Sequence, residues 1–443
     1  MITLRTSLLV ATVASIVLAA CGGGDSNGGG DSNGGGTQSS SSVNWNPAPD
    51  WNGNTSNNST GNSTAPINTG NIPTEQDNTV TLHVDNATGG INMPYVSITV
   101  CAPGSPDQCV NVDRMLVDTG STGVRITAGA LQSLNSQLLV QAGAVDDTTG
   151  NNPIAECMPF ASGYMWGSVK RADITIGSRT ASNLPVQVTG DGAFGMPPDC
   201  TAYGGADMST ARVLGANGIL GIGNFTADSA DATKSAVPGL YYYCQSQDSC
   251  TSTRMKTNKE VANPIAAFAA DYNGSVIRLP AIPASGQASV TGQLIFGVGT
   301  QANNALPSRP NIFAVDKYGL LTTQYHGAVL NRSAIDSGSP AYYFSDPSIA
   351  RSPQGWYTPS KQLNLLATLE PTDGSGPPIA MPFQVDNALN LMAGSNRAFT
   401  NVGVATSSSR MFLWGLPFFY GRSVYTVIGT SKVGTHTGPF VAF

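Results

Sequence analysis

Two runs, Leu116-Val117-Asp118-Thr119-Gly120-Ser121 and Ala334-Ile335-Asp336-Ser337-Gly338-Ser339, follow one pattern: two apolar residues, then Asp, Ser or Thr, Gly and Ser. A carboxylate delivered from a buried strand through a tight glycine turn is suited to acid–base work. If the two turns meet, their carboxyls lie roughly 3 Å apart and cannot both ionise, so one keeps a proton while the other activates water. The hydroxyls of Thr119 and Ser337 can each reach across to the opposite turn's backbone, and Ser121 and Ser339 can each donate to their own aspartate. Gly120 and Gly338 let the turns approach closely. Such a pair titrates as a unit, so neither role is assigned to a particular Asp. The chemistry expected is hydrolysis with water as nucleophile, no covalent intermediate, and no metal or organic cofactor.

The elements that must position these residues read as strands. Only 11% of the 443 residues are charged, while 51 glycines and 28 prolines supply turns. Short alternating or β-branched runs at 79–84, 95–100, 110–117, 172–176 and 184–188 are separated by Gly, Pro and Asn, which points to an all-β chain. The best helical signal is 263–271, with Pro264 in a first turn and Ile265, Phe268 and Ala269 at helical spacing. A net charge of −6 with no Lys/Arg cluster argues against nucleic acid as a partner.

Arg5, the apolar run 8–18 and Leu18-Ala19-Ala20-Cys21 resemble a bacterial lipoprotein signal, with Cys21 as the lipidated residue. Gly22 in place of Asp resembles outer-membrane sorting, so the expected location is the bacterial envelope, with the membrane contacted through the N-terminal lipid only. Residues 21–78 carry a repeated GGGDSN block, few apolar side chains and neither Lys nor Arg, and are expected to form a disordered tether. The remaining cysteines suit an exported chain: the short loops favour Cys101–Cys109 and Cys244–Cys250, leaving Cys157 with Cys200. Zinc is discounted because there is no CxxC and His83, His326 and His436 are scattered.

The two Asp turns, in context, resemble the pepsin-like aspartic peptidases over most of residues 90–443. Residues 94–121 look like that family's opening hairpin and first catalytic loop. Gly218-Ile219-Leu220-Gly221 is similar to the strand beneath the first aspartate, and Leu413-Trp414-Gly415 holds the equivalent place beneath Asp336. The resemblance implies a bilobal, pepsin-like double-barrel fold with few short helices, its lobes at 79–302 and 303–443. It also implies a flap hairpin containing Phe160, Gly163, Tyr164, Trp166 and Gly167, whose glycines suit a tip that opens and closes. Two positions depart from the pattern: the usual flap tyrosine aligns with Phe160, and its tryptophan partner with Arg125. Tyr164 or Trp166 could reach the cleft instead; the alternative is that they pack on the sheet.

The function implied is an envelope-anchored aspartic endopeptidase acting on extended peptides or proteins, preferring acidic conditions because the two serines stabilise ionised carboxylate. The competing readings are a silent pepsin-like binding module and a structural surface lipoprotein. A serine hydrolase is disfavoured because neither Ser121 nor Ser339 has a histidine assigned to it by sequence.

Overall fold

The structure, a computed structural model, describes residues 76–236, 239–374 and 376–443. The expected signal peptide, Cys21 and nearly all of the tether lie outside the described residues. The first strand among the described residues is Thr79–Val84. Asn78 is fully buried and donates from Nδ2 to the Phe296 carbonyl at 3.0 Å.

The same strand motif occurs in both halves. In the first, strand Cys109–Asp118 ends on Asp118, the chain turns through 119–121, and it returns as Thr122–Thr127. Strand Gly218–Ile222 lies between them, parallel to the first with Gly221 opposite Asp118, and antiparallel to the second with Gly221 opposite Gly123. A Cβ on Gly221 would stand 2.7 Å from the Gly123 carbonyl, so only glycine fits there. In the second half, Ala328–Ile335 runs parallel to Met411–Trp414, which pairs antiparallel with Tyr342–Phe344. Being covered on both faces, Met115, Leu116 and Val117 are all fully buried, which is why these strands read as continuous apolar runs and not as alternations.

Beneath both motifs runs a sheet shared by the two halves. Its antiparallel order is Thr79–Val84, Val290–Phe296, Gly274–Arg278, Ser423–Val427, Phe440–Ala442, Ile312–Ala314. The lobes are therefore joined by backbone hydrogen bonds, not only by a linker near residue 302. A separate seven-stranded sheet builds the second lobe, its core filled by Tyr342, Phe344, Phe383, Phe412 and Trp414; the Phe412 and Trp414 rings stack at 4.4 Å. Few and short helices complete the all-β, bilobal layout.

All three expected disulfides form: Cys101–Cys109, Cys157–Cys200 and Cys244–Cys250. The helix expected at 263–271 does not; only a 3-10 turn, Ile265–Ala267, is present. The Asn263 side chain accepts the Ile265 N–H at 3.0 Å, and Phe268 turns to an extended backbone that lets its ring pack edge-on to Phe296 at 5.2 Å. Burying that ring outweighs continuing a short helix, because a single turn is only the costly nucleus of one.

Candidate active site

Residues distant in sequence meet at two facing turns. The Thr119 N–H donates to Ser337 Oγ (3.0 Å) and the Thr119 hydroxyl to the Ile335 carbonyl (3.0 Å). Reciprocally, the Ser337 N–H donates to Thr119 Oγ1 (3.0 Å) and the Ser337 hydroxyl to the Val117 carbonyl (2.7 Å). Four buried hydrogen bonds thus lock the turns, each typically contributing about 1 kcal/mol net and costing more when one partner is removed.

Between them the Asp118 and Asp336 carboxyls lie close enough for each to shift the other's hold on a proton. Gly120 and Gly338 N–H groups donate to the Oδ1 atoms of Asp118 (2.8 Å) and Asp336 (2.9 Å). Ser339 Oγ donates to Asp336 Oδ2 at 2.6 Å, and Ser121 Oγ makes the matching bond to Asp118 Oδ2. Burial first, and the charge of Asp118 second, push Asp336 well above the usual carboxylate range. Burial raises Asp118 as well, but the bonds from Asp336, Ser121 and Gly120, and the field of Arg125, act against it. Both carboxyls are pushed up, so the pair, titrating as a unit, keeps one proton between them. The dyad then offers one acid and one base to a water molecule.

The hairpin expected as a flap forms from Ile154–Phe160 and Gly163–Ile176. Its aromatic residues are placed differently from one of the two expectations. Tyr164 and Trp166 do not replace the missing tyrosine–tryptophan pair, because the two-residue period of the strand puts them on the face opposite Met165. Trp166 packs with Tyr242 and the Cys157–Cys200 bridge and donates from Nε1 to the Phe194 carbonyl at 2.9 Å. The glycines also serve closeness, not opening: a Cβ on Gly163 or Gly167 would stand 1.9 Å from the carbonyl of Ala206 or Val188. The tip is paired to a short strand, Ala206–Asp207, with the Met208 N–H donating to the Tyr164 carbonyl at 2.8 Å.

What replaces the aromatic pair is Arg125, whose guanidinium carbon lies 6.0 Å from the Phe160 ring centroid. Arg125 is fully buried; Nη1 donates to the Thr122 carbonyl (2.8 Å), and Nη2 to Glu156 Oε1 (2.9 Å) and Asp228 Oδ2 (2.7 Å). Tyr241 donates to Asp228 Oδ1 at 2.7 Å. Burial and then the Glu156 charge push Asp228 well above its usual range, and burial pushes nearby Glu260 up to about 7. Sequence reading marked Arg125 only as a departure; the signal for this network was a charged residue inside the apolar run 124–126.

The family model described as "Protein of unknown function (DUF3443)" matches residues 74–443. The chain belongs to that family. No curated protein matches. A crystal structure of an aspartic proteinase from Irpex lacteus is similar at 13% identity and a TM-score of 0.43, over 82% of this chain and 96% of that one.

In this DUF3443 chain a cavity of about 660 Å³ opens off the dyad turns, within the range of roughly 300–1,000 Å³ usual for ligand sites. Thr119, Gly120, Ser121, Ala334, Met158 of the hairpin and most of the loop 223–235 line it. The strands Gly218–Ile222 and Met411–Trp414, containing Ile219, Leu220, Leu413 and Trp414, lie where expected beneath the turns. A Cβ on Gly218 would stand 2.2 Å from the Arg125 carbonyl, and one on Gly415 2.2 Å from the Ala341 carbonyl.

Proposed function

We propose that this chain is an aspartic peptidase that hydrolyses peptides with a water activated by Asp118 and Asp336, and that Cys21 lipidation anchors it in the bacterial envelope. The observation that carries the reading is the reciprocal lock between the two turns, which brings the two carboxyls together, each held by its own Ser and Gly. One carboxylate of the dyad accepts a proton from water as that water attacks the scissile carbonyl; the proton held on the other passes to the carbonyl oxygen, and the resulting gem-diol collapses with proton transfer to the leaving amine. Cleavage of a peptide library, blocked by a pepstatin-type inhibitor and abolished in Asp118→Asn, is the expected result. Undiminished cleavage by that variant would end the hydrolase reading.

A second reading, a module that binds peptides without cutting them, draws on the near-complete burial of the dyad, where Asp118 is 2% and Asp336 0% exposed. It expects peptide binding by the wild type with no product formed.

A further inference from the structure

One cation stands against three acids beside the cavity. Arg125, Glu156 and Glu260 are fully buried, and the Asp228 side chain is 1% exposed. Arg125 holds Glu156 and Asp228 through Nη2 and the Thr122 carbonyl through Nη1. Glu260 Oε2 accepts the Ser229 N–H at 3.2 Å, and the Tyr241 hydroxyl, which donates to Asp228, accepts the Val261 N–H at 2.8 Å. Among the described residues, Glu156 Oε2 and Glu260 Oε1 have no hydrogen-bond partner. A buried carboxylate with a bare oxygen and too little opposite charge is costly, so the three acids do not all ionise together.

The cluster joins elements that no ladder joins among the described residues. Strand Thr122–Thr127 pairs with Gly218–Ile222 and Arg179–Thr189, and strand Ile154–Phe160 with Gly163–Ile176 and Tyr241–Ser246. The loop carrying Asp228 and Ser229 is bonded instead to segment 260–263: the Asp228 N–H donates to the Val261 carbonyl (3.2 Å) and the Asn263 N–H to the Thr226 carbonyl (3.0 Å). That segment is pressed against the strand leaving the Asp118 turn, since a Cβ on Gly123 would stand 2.6 Å from Val261 Cγ1. Thr122, Asp228 and Ser229 all line the cavity with Ser121, so a charge placed at Glu260 acts on a wall of the proposed peptide site.

We infer that Glu260 is a positioning residue of the peptide site: while neutral it keeps the cavity loop fastened to the hairpin through Asp228, Arg125 and Glu156, and on ionising it loosens that loop. The titratable groups around it are Glu156, Asp228 and Tyr241, with Arg125 engaged by the two acids; Lys259 turns away to the Ala142 carbonyl at 2.6 Å. Burial holds the Glu260 proton up to about 7, the Ser229 N–H offsetting this only in part. In an opened loop the acid regains its ordinary value of 4.5, so opening releases the proton. Opening therefore becomes easier as pH rises from 4.5 to about 7, by up to about tenfold per unit, and levels off above.

Amide hydrogen exchange of the whole protein, corrected for the intrinsic effect of pH, reads this without any substrate. Protection at Asp228 and Ser229 should fall at least about tenfold between about pH 5 and about pH 7. Glu260→Gln, which keeps an oxygen for the Ser229 N–H, should hold that change within about twofold. A saturating statine-centred peptide, whose hydroxyl takes the place of the attacking water, should restore protection of these amides at the higher pH. Flat protection in the wild type overturns the inference, as does an equal fall in folded Glu260→Gln or a bound peptide that leaves these amides unprotected. The inference rests on the peptidase reading for what the cavity takes. A pH-dependent loop in a protein that binds no statine peptide would remove that reading and leave the hold of Glu260 on the loop standing.

Discussion

Gly338 shows how little slack the dyad has. A Cβ there would stand 2.6 Å from Asp118 Oδ1, so Gly338→Ala must push the carboxyls apart or the turns out of register. Peptide turnover in that variant should fall at least about a hundredfold, as expected when positioned reacting groups shift by about an ångström; near-normal turnover would show that the pair need not touch. Glu260 gives a second expectation, read in stability. The folded state holds its proton up to about pH 7, whereas the unfolded chain releases it near its ordinary value of 4.5. Between those limits the native state binds the extra proton, so stability falls as pH rises. Glu260→Gln should flatten that decline in Tm across the same window, while a slope unchanged by the substitution would assign it elsewhere. The two Asp turns were legible in the sequence because six residues repeat in order. Arg125 was not, because its partners Glu156 and Asp228 come from separate strands and loops and carry no spacing signature.

At the scale of elements, the hairpin beside the dyad is held at three points: its tip to Ala206–Asp207, its strand to Cys200 through Cys157, and Phe160 against Arg125. Cys157 and Cys200 are 43 residues apart, and the chain-entropy model gives a loop of that size about 4 kcal/mol of stabilisation. Replacing both cysteines by serine should lower the denaturation midpoint accordingly and raise hydrogen exchange first in Ile154–Phe160. Protection lost uniformly across the chain would argue against a local role. The resemblance foretold this hairpin, while the alternating runs 172–176 and 184–188 belong to the neighbouring pair Gly163–Ile176 and Arg179–Thr189. It did not foretell which aromatic faces the cleft, because that depends on register: Cys157 opposite Trp166 and Met158 opposite Met165 put Met158, not Trp166, on the cavity wall. The helix expected at 263–271 failed for a related reason, a ring whose tertiary contact outweighs local propensity.

Over the whole molecule, the six-stranded shared sheet makes the halves one cooperative body. Strand Gly274–Arg278 from before residue 303 pairs along its length with Ser423–Val427 from after it. Calorimetry should therefore record a single endotherm with matching calorimetric and van't Hoff enthalpies; two resolved transitions would show that the halves melt apart. Composition and turn spacing made the all-β character legible and the family resemblance implied two lobes, but the pairings in the sheet that joins them were not legible, because strands so far apart in the chain leave no local trace of their pairing. That arrangement also bears on when the protein can act. The floor under Asp118 is completed by Phe440–Ala442, so a ribosome must have released almost all of the residues in the fold before the two acids can find each other. Until those last strands are in place, Asp118 and Asp336 belong to two turns that have nothing to hold them face to face.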